Sequence, residues 1–374
     1  MQKFEYLVGI CNQVLLSGDM DELGSIVSGL SSEERDELFS LAYFHGLLPV
    51  VMALFEKKKI ENKEHREIFI GWYGISQIDI QNYRIRVNTM RELSELFAED
   101  NIDVMFFKGA ALAQLYSNPE WRVFNDVDFY LYGEFQRGIE VMTRKGIENE
   151  TYPHHHTRAI MNDILLENHY DFVERLHHRS NLVIDDELKT LAKEEGRTVK
   201  ASFLGEDIVN AYEMTPTMNA LFILRHMAIH FVSESISLRM LYDWILFLRE
   251  HANDVDWKRV IRLYEASGMT EFVGIVQGLL VKHFGVEVPE CPVKPMTGEK
   301  MEKVWKSIVY PPAPNPHKER SLAYYFYEAK VFVNNHWKHR FVYPGESYFL
   351  LFFEYAWPAV KKMLGIQKDH GTVL

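Results

Sequence analysis

The sequence predicts an α+β fold that is predominantly helical, in which a small mixed-sheet core is flanked by N-terminal and C-terminal helices. Apolar residues recur at helical spacing before residue 100 and again from Thr217 onward. Between these stretches, short apolar runs of strand length alternate with helical segments. Such alternation over fewer than about a hundred residues indicates a small α/β or α+β core.

Residues 1–100 are predicted to form an N-terminal helical region. Ser31 and Glu34 match a capping box, the pair of side-chain caps that begins a helix. The polar–apolar pattern over residues 65–99 predicts one or two further helices. Residues 1–22 contain an apolar stretch without a small-residue cleavage site, so we interpret them as an amphipathic helix rather than a signal peptide.

Residues 101–200 are predicted to contain the sheet. Short apolar runs ended by turn residues indicate strands, and Lys108-Gly109 stands where the first strand becomes a helix. The predicted order is strand 103–107, helix 110–116, strand 127–132, helix 135–145 and strand 164–172.

Residues 201–310 are predicted to be helical again, and a proline-rich link over residues 310–316 follows. The final segment, residues 311–374, is rich in aromatic residues and contains the run FLLFF at 349–353. We expect this segment to pack on the body of the protein. A helix on a membrane surface is the less favoured alternative, because lysines are few there.

Composition limits the classes of partner. The 374 residues include 41 Lys and Arg against 53 Asp and Glu, a net charge of -12. This balance argues against broad binding to nucleic acid, which depends on neutralising phosphates, so DNA is not an expected partner. Cys11 and Cys291 are too few for a disulfide framework or a zinc ribbon. No apolar stretch reaches the roughly 18 residues of a membrane span, and we expect a cytoplasmic protein.

A pair of acids on the second predicted strand points to metal chemistry. Residues two apart on a strand face the same side, so Asp126 and Asp128 are expected to project together. Two neighbouring carboxylates repel each other unless a cation lies between them, and Mg²⁺ prefers such oxygen ligands. Taken alone, the pair is better explained as two solvent-facing acids at a strand end.

Two upstream features favour a phosphate site. A strand that becomes a helix directs backbone N–H groups toward an anion, and Gly109 lacks the Cβ that blocks a close approach. Lys108 adds a charge that can reach phosphate oxygens. A simple Lys-Gly turn is the structural alternative. Arg122 has two equal interpretations, a phosphate clamp or an ion pair with a nearby acid.

A third acid is expected on the third strand. Alternation places Leu165, Glu167 and His169 on one face, and a same-face polar pair is unusual on a buried strand unless it faces a site. Glu174 is the competing candidate, and we favour Glu167. A third carboxylate would complete a two-metal site for displacement at phosphorus.

The remaining histidines carry weaker signals. Residues 154–156 are three consecutive histidines that could bind a soft metal, but we interpret them as a solvated turn. His226 and His230 share one helical face, lack the glutamate of an HExxH motif, and are candidates, like His169, for contact with substrate. Asp243 and Arg239, four residues apart, are expected to form an ion pair.

These motifs together resemble a known family. The run FFKGAALAQLY, followed by WRVFNDVDFYL, is similar to the uncharacterised nucleotidyltransferase family of the polymerase-β-like superfamily, in which K-G-x-x-L, R and D-x-D recur in this order. Glu167-Asn168-His169 matches its E-x-H motif, and residues 237–244 resemble its L-R-x-x-x-D segment. The resemblance covers roughly residues 30 to 260, more than an ordinary domain. Better-characterised superfamily members have Gly-Ser where this chain has Lys-Gly.

The resemblance implies a nucleotidyltransferase core with Asp126, Asp128 and Glu167 as catalytic, metal-binding acids for Mg²⁺ or Mn²⁺. We expect transfer of a nucleoside monophosphate from an NTP to a hydroxyl of a small molecule, sugar, protein or RNA end, with Lys108, Gly109 and Arg122 at the nucleotide. The alternatives are an inactive nucleotide-binding protein that keeps the fold and a helical interaction module.

Overall fold

The computed structural model of the protein describes residues 2–17, 29–56, 62–151, 155–175, 178–233, 235–311, 315–318 and 321–348. The helices before the sheet are α1 (Gln2–Asn12), α2 (Ser32–Phe44), α3 (Leu48–Glu56) and α4 (Lys63–Ala98). The sheet region contains β1 (Val104–Phe107), α5 (Gly109–Ala113), β2 (Asp126–Tyr130), α6 (Phe135–Arg144), β3 (Asn149–Thr151), β4 (His156–Met161), β5 (Ile164–His169), α7 (Arg179–Glu194), β6 (Lys200–Phe203) and β7 (Glu206–Glu213). The later helices are α8 (Pro216–Ser233), α9 (Leu238–His251), α10 (Trp257–Ala266), α11 (Thr270–Leu279), α12 (Glu299–Val309), α13 (Leu322–Asn334) and α14 (His336–Val342).

The predicted helix start at Ser31 is confirmed in the N-terminal region. Ser31 and Glu34 form the capping box at the start of α2, each side chain bonding the other's backbone N–H. The pattern predicted to be one or two helices is a single helix, α4, of 36 residues. The predominantly helical α+β class is confirmed, because the described helices surround one sheet.

The sheet has seven strands in the order β3-β4-β5-β2-β1-β7-β6 within the described part of the chain. It is mixed, since β2 is parallel to β5 and β1 to β7, whereas β1 and β2 are antiparallel. The three predicted strands are its centre. Strands β3, β4, β6 and β7 were not predicted, and the two edge strands are only three and four residues long. Short, polar edge strands leave a weak pattern in a sequence.

Alternation along the central strands divides their residues between two cores. Val127 and Phe129 face the helices α4 and α6 in one buried apolar cluster. On the opposite face, Phe107 and Tyr130 belong to a second cluster shared with α8 and α9. Asp126 and Asp128 therefore point to the α8 and α9 side of the sheet, with apolar packing beneath them.

A buried ion pair links α9 to the loop before β2. Arg122 Nε and Nη2 donate to the two carboxylate oxygens of Asp243, each at 2.8 Å. The Tyr116 hydroxyl donates to the same carboxylate at 2.9 Å, and Arg122 Nη1 donates to the Gly109 carbonyl at 3.0 Å. The predicted partnership of Asp243 with Arg239 is wrong, because Arg122 provides the bidentate fork that a buried carboxylate requires.

Other sequence predictions concern membranes and the C-terminal segment. Among the described residues, no helix combines the length and apolar character needed to span a membrane. The run at residues 349–353 lies outside the described residues, so its packing stays a prediction.

Strand β7 joins the sheet next to β1, which brings part of the region after residue 200 into the core.

We expect replacement of Arg122 by Met to destabilise the protein by about 3–5 kcal/mol, because it leaves the Asp243 carboxylate buried without its cation. The double variant R122M/D243L removes both charges and should recover much of this loss. Denaturant unfolding of the three proteins measures the difference. The exposed pair Lys282–Glu302 is the control, and E302Q should change stability by less than about 1 kcal/mol. Equal losses for R122M and E302Q would show that the buried pair does not support the fold.

Candidate active site

A cavity of about 900 Å³ lies between the acid-bearing face of the sheet and the helices α8 and α9. Nearly all of the predicted site residues line it. They are Lys108, Gly109, Arg122, Asp126, Asp128, Glu167, His226 and His230. The competing acid, Glu174, also lines the cavity, beyond the end of β5. The volume is that of an ordinary small-ligand site.

Strand register brings the three predicted acids together. Asp128 on β2 is the direct partner of Glu167 on the parallel neighbour β5, and Asp126 is two residues before Asp128 on the same face. Paired residues on adjacent strands place their side chains about 5 Å apart. The side chain of Asp128 is fully buried and that of Glu167 is nearly so. Three carboxylates, with Asp126 half-buried, therefore share one largely buried patch of the cavity wall.

The Asp128 carboxylate has two partners at one oxygen and none at the other. Lys108 Nζ donates to Oδ1 at 2.6 Å, and His169 Nε2 lies 2.8 Å from the same atom. Oδ2 is buried and has no hydrogen-bond partner among the described residues. A buried carboxylate oxygen without a partner is costly, so a cation or hydrogen-bond donor at this atom would stabilise the site.

The crowded charges shift the pKa values of the site. Repulsion from Asp128, followed by burial, raises the pKa of Asp126. Burial, followed by repulsion from Asp128 and Asp126, raises the pKa of Glu167 to about 7. Burial opposes the charge of Lys108, but attraction to Asp128 and Asp126 outweighs it and raises the pKa of the ammonium. The acids are thus short of positive charge, and Lys108 supplies part of it.

The contacts of Glu167 include residues that were not predicted. Arg158 Nε donates to Glu167 Oε1 at 3.2 Å, and His156 Nε2 lies 3.3 Å from the same oxygen. Both residues lie on β4, where Arg158 is the direct strand partner of Glu167. Their alternation on one face, two residues apart, is the sequence signal that would have identified β4 and Arg158. The His156 side chain is buried, so the prediction of a solvated turn is wrong there; His154 lies outside the described residues.

Lys108 and Gly109 stand at the predicted junction between β1 and α5, but the packing of a neighbouring ring explains the glycine. Lys108 has a φ of 56°, an unusual value for a residue with a side chain and one that clusters at functional sites. A Cβ on Gly109 would lie 2.7 Å from Phe124 Cδ2, so the packing of this ring requires glycine here. The helix α5, which begins at Gly109, has only five residues.

Two arginines occupy the cavity wall beside α9. Arg122 is engaged by Asp243 and is almost fully buried, so the structure contains the ion pair that was one of its two interpretations; its contact with a nucleotide stays a prediction. Arg239 was predicted only as a partner of Asp243. It donates to the Val123 carbonyl at 2.8 Å and lines the cavity, with no carboxylate at ion-pair distance among the described residues.

The histidines divide into two groups. His226 stacks against Phe222, with ring centroids 5.5 Å apart, and its ring meets His230 edge-on at 4.5 Å. Burial, then the charge of Lys108, lowers the pKa of His226 well below its usual value. His169 has no exposed side-chain surface and lies behind Asp128, so it holds the carboxylate instead of reaching the cavity as predicted for substrate contact.

Comparison with known proteins identifies the family of the chain. No curated protein and no solved structure matches the chain. A family model described as an uncharacterised nucleotidyltransferase matches residues 31–285, a span that includes the sheet, the three acids and the helices α8 and α9 that line the cavity. The chain therefore belongs to this nucleotidyltransferase family.

Proposed function

We propose that the protein transfers a nucleoside monophosphate from an NTP to a hydroxyl acceptor with the help of Mg²⁺ or Mn²⁺. One observation carries this proposal: Asp126, Asp128 and Glu167 share a buried patch inside a cavity large enough for a nucleotide. Such a patch is unfavourable without added positive charge, and a metal–nucleotide complex supplies it.

The residues present fit a hard divalent cation. Asp126 and Asp128 offer carboxylate oxygens, and Asp128 Oδ2 has no partner among the described residues. A divalent cation bound there would polarise the phosphoryl oxygens and offset the negative charge that develops during transfer. Asp126 and Asp128 are the proposed ligands, and Glu167 is the third acid.

The chemical step is an in-line displacement at the α-phosphorus. The acceptor oxygen forms a bond to this phosphorus while the bond to the bridging oxygen of the β-phosphate breaks, and pyrophosphate leaves with that electron pair. The hydroxyl proton passes to Glu167, whose pKa of about 7 suits a general base near neutral pH.

The cationic side chains around the cavity are the proposed triphosphate contacts. Lys108 lies beside the acids, and Arg239 lines the cavity from α9 and donates to the Val123 carbonyl. Arg158 adds a guanidinium at the other side of Glu167. Guanidinium and ammonium groups bind phosphate oxygens through charge-assisted hydrogen bonds.

These contacts are compatible with several classes of acceptor. A small molecule, a sugar, a protein side chain or an RNA end each offers the required hydroxyl. The net charge of -12 disfavours RNA among them, because a polyanion approaches an acidic protein against electrostatic repulsion.

We expect one NTP, with Mg²⁺ or Mn²⁺, to raise the melting temperature of the protein. A ligand at a hundredfold excess over its Kd stabilises the folded state by about 2.7 kcal/mol. The double variant D126N/D128N should lose this shift, while D79N, which changes a cavity acid outside the three-acid patch, should keep it. A shift without metal would indicate an inactive nucleotide-binding protein, and no shift with any NTP would favour an interaction module.

A second prediction concerns the metal-free protein. The folded-state pKa of Glu167 is raised to about 7, so its contribution to stability is fully present below pH 4.5 and is lost as the pH rises through 7. Relative to E167Q, the wild type should therefore lose about 3 kcal/mol of unfolding free energy across this window. Denaturant unfolding in a chelator measures it, and added Mn²⁺ should reduce the loss. Parallel pH profiles for the two proteins would contradict the crowded-acid interpretation.

A third prediction uses the ammonium of Lys108, which neutralises Asp128 in the metal-free state. In K108M, Mn²⁺ alone should bind roughly tenfold more tightly, because it no longer competes with a tethered cation. The same variant should bind the Mn²⁺–NTP complex roughly tenfold more weakly, because a phosphate contact is lost. Calorimetric titrations measure both constants, with K145M, a surface lysine, as the control. If both affinities fall together, Lys108 is part of the metal site and not its competitor.

A further inference from the structure

Three histidines meet where β4 begins and β5 ends. His155 precedes β4, His156 is its first residue, and His169, the last residue of β5, is the direct strand partner of His156. The three ring centroids lie 4.5, 5.1 and 5.2 Å from one another. His155 and His156 also line the cavity, next to Glu167.

The nitrogen atoms of these rings are close enough to be brought onto one metal ion. One donor atom from each histidine lies within 4.8 Å of the others. Donors of a tetrahedral site at about 2.1 Å from the ion are about 3.4 Å apart, so each pair of nitrogens would approach by at most about 1.4 Å on binding. The Glu167 carboxylate lies beside the cluster, 3.3 Å from His156 Nε2 and 3.8 Å from His169 Nε2.

His169 is held by contacts at both ring nitrogens. Nδ1 lies 3.2 Å from the Asp171 carbonyl, and Nε2 lies 2.8 Å from the Asp128 carboxylate. In the tautomer with its proton on Nδ1, this nitrogen donates to the Asp171 carbonyl and Nε2 offers a lone pair on the side of the carboxylates. A backbone carbonyl at the second nitrogen is a usual outer partner of a metal-binding histidine.

His156 likewise presents a lone pair. Arg158 Nε donates to His156 Nε2 at 3.2 Å, so this nitrogen is an acceptor and is oriented toward Glu167. In the metal-free protein the Arg158 guanidinium thus stands where a cation between His156 and Glu167 would bind. The Arg158 side chain is 37% exposed, so it can turn toward solvent when an ion enters.

We infer that His155, His156 and His169 form a binding site for one transition-metal ion of the Zn²⁺ or Mn²⁺ class, beside Glu167 and the carboxylates of Asp126 and Asp128. Imidazole nitrogen suits these ions, whereas Mg²⁺ prefers oxygen ligands. The use of this ion in nucleotidyl transfer rests on the proposed function, but its binding does not.

The test is a calorimetric titration of the full, untagged chain after removal of metals by a chelator, with Zn²⁺ and with Mg²⁺ in the absence of nucleotide. We expect one Zn²⁺ per chain, bound at least a hundredfold more tightly than Mg²⁺. H156N should weaken Zn²⁺ binding at least tenfold. H230A, which removes a cavity histidine outside the cluster, should leave it within twofold. Equal affinities for the two ions, or a loss in H230A without a loss in H156N, would overturn the assignment.

A second measurement avoids variants that fold poorly. Co²⁺ added to the metal-free wild type should give the strong visible absorption of a four-coordinate site with nitrogen ligands, and one equivalent of Zn²⁺ should remove it. The weak absorption of an all-oxygen, six-coordinate ion would contradict the inference. If the protein binds Zn²⁺ in this way but shows no NTP-dependent thermal shift, the metal site is supported and the proposed function is contradicted. If it shows the thermal shift but does not bind Zn²⁺ in this way, the proposed function is supported and the metal site is contradicted.

Discussion

Repulsion among three neighbouring carboxylates is the constraint that this site must satisfy, since Asp128 and Glu167 are buried and Asp126 is half-buried. Asp126 and Asp128 share a face of β2 because side chains alternate along a strand, and the parallel register places Glu167 directly beside Asp128. The opposite face is occupied by Val127 and Phe129 in an apolar cluster against α4, so a shift of one residue would bury the acids in that core. The packing of the sheet therefore holds the carboxylates together despite their charge.

The positive side chains around the acids follow from this repulsion. Lys108, directly after β1, donates to Asp128, and Arg158 on β4 donates to Glu167. All three cations, Arg122 included, line the cavity, but the guanidinium of Arg122 is engaged by Asp243 and the Gly109 carbonyl. Lys108 and Arg158 therefore neutralise the acids of the site, whereas the buried pair Arg122–Asp243 joins α9 to the loop before β2. Burial and bidentate geometry distinguish the two roles.

The residue pattern predicted the three central strands and their acids, but not the outer strands or the partner of Asp243. The strong apolar runs of β1, β2 and β5 and the D-x-D spacing predicted three strands and a shared acid face, and these features depend only on local alternation. The partner of Asp243 could not be predicted in this way, because Arg122 is 121 positions away and its proximity depends on tertiary packing. Arg158 and His156 were not assigned to a strand because β4 follows a stretch with Pro153 and consecutive histidines, and its first three residues, HTR, are polar.

The proposed reaction gives the tethered cations a further use. In the metal-free state two cations, Lys108 and Arg158, stand against three carboxylates, so the patch is only partly neutralised. A divalent ion that binds the acids releases these side chains while a triphosphate brings new negative charge to the same cavity. The released ammonium and guanidinium can then bind phosphate oxygens without moving far. The triphosphate then meets positive charge from the metal, Lys108 and Arg158 together, which lowers the cost of bringing its charges into a buried site.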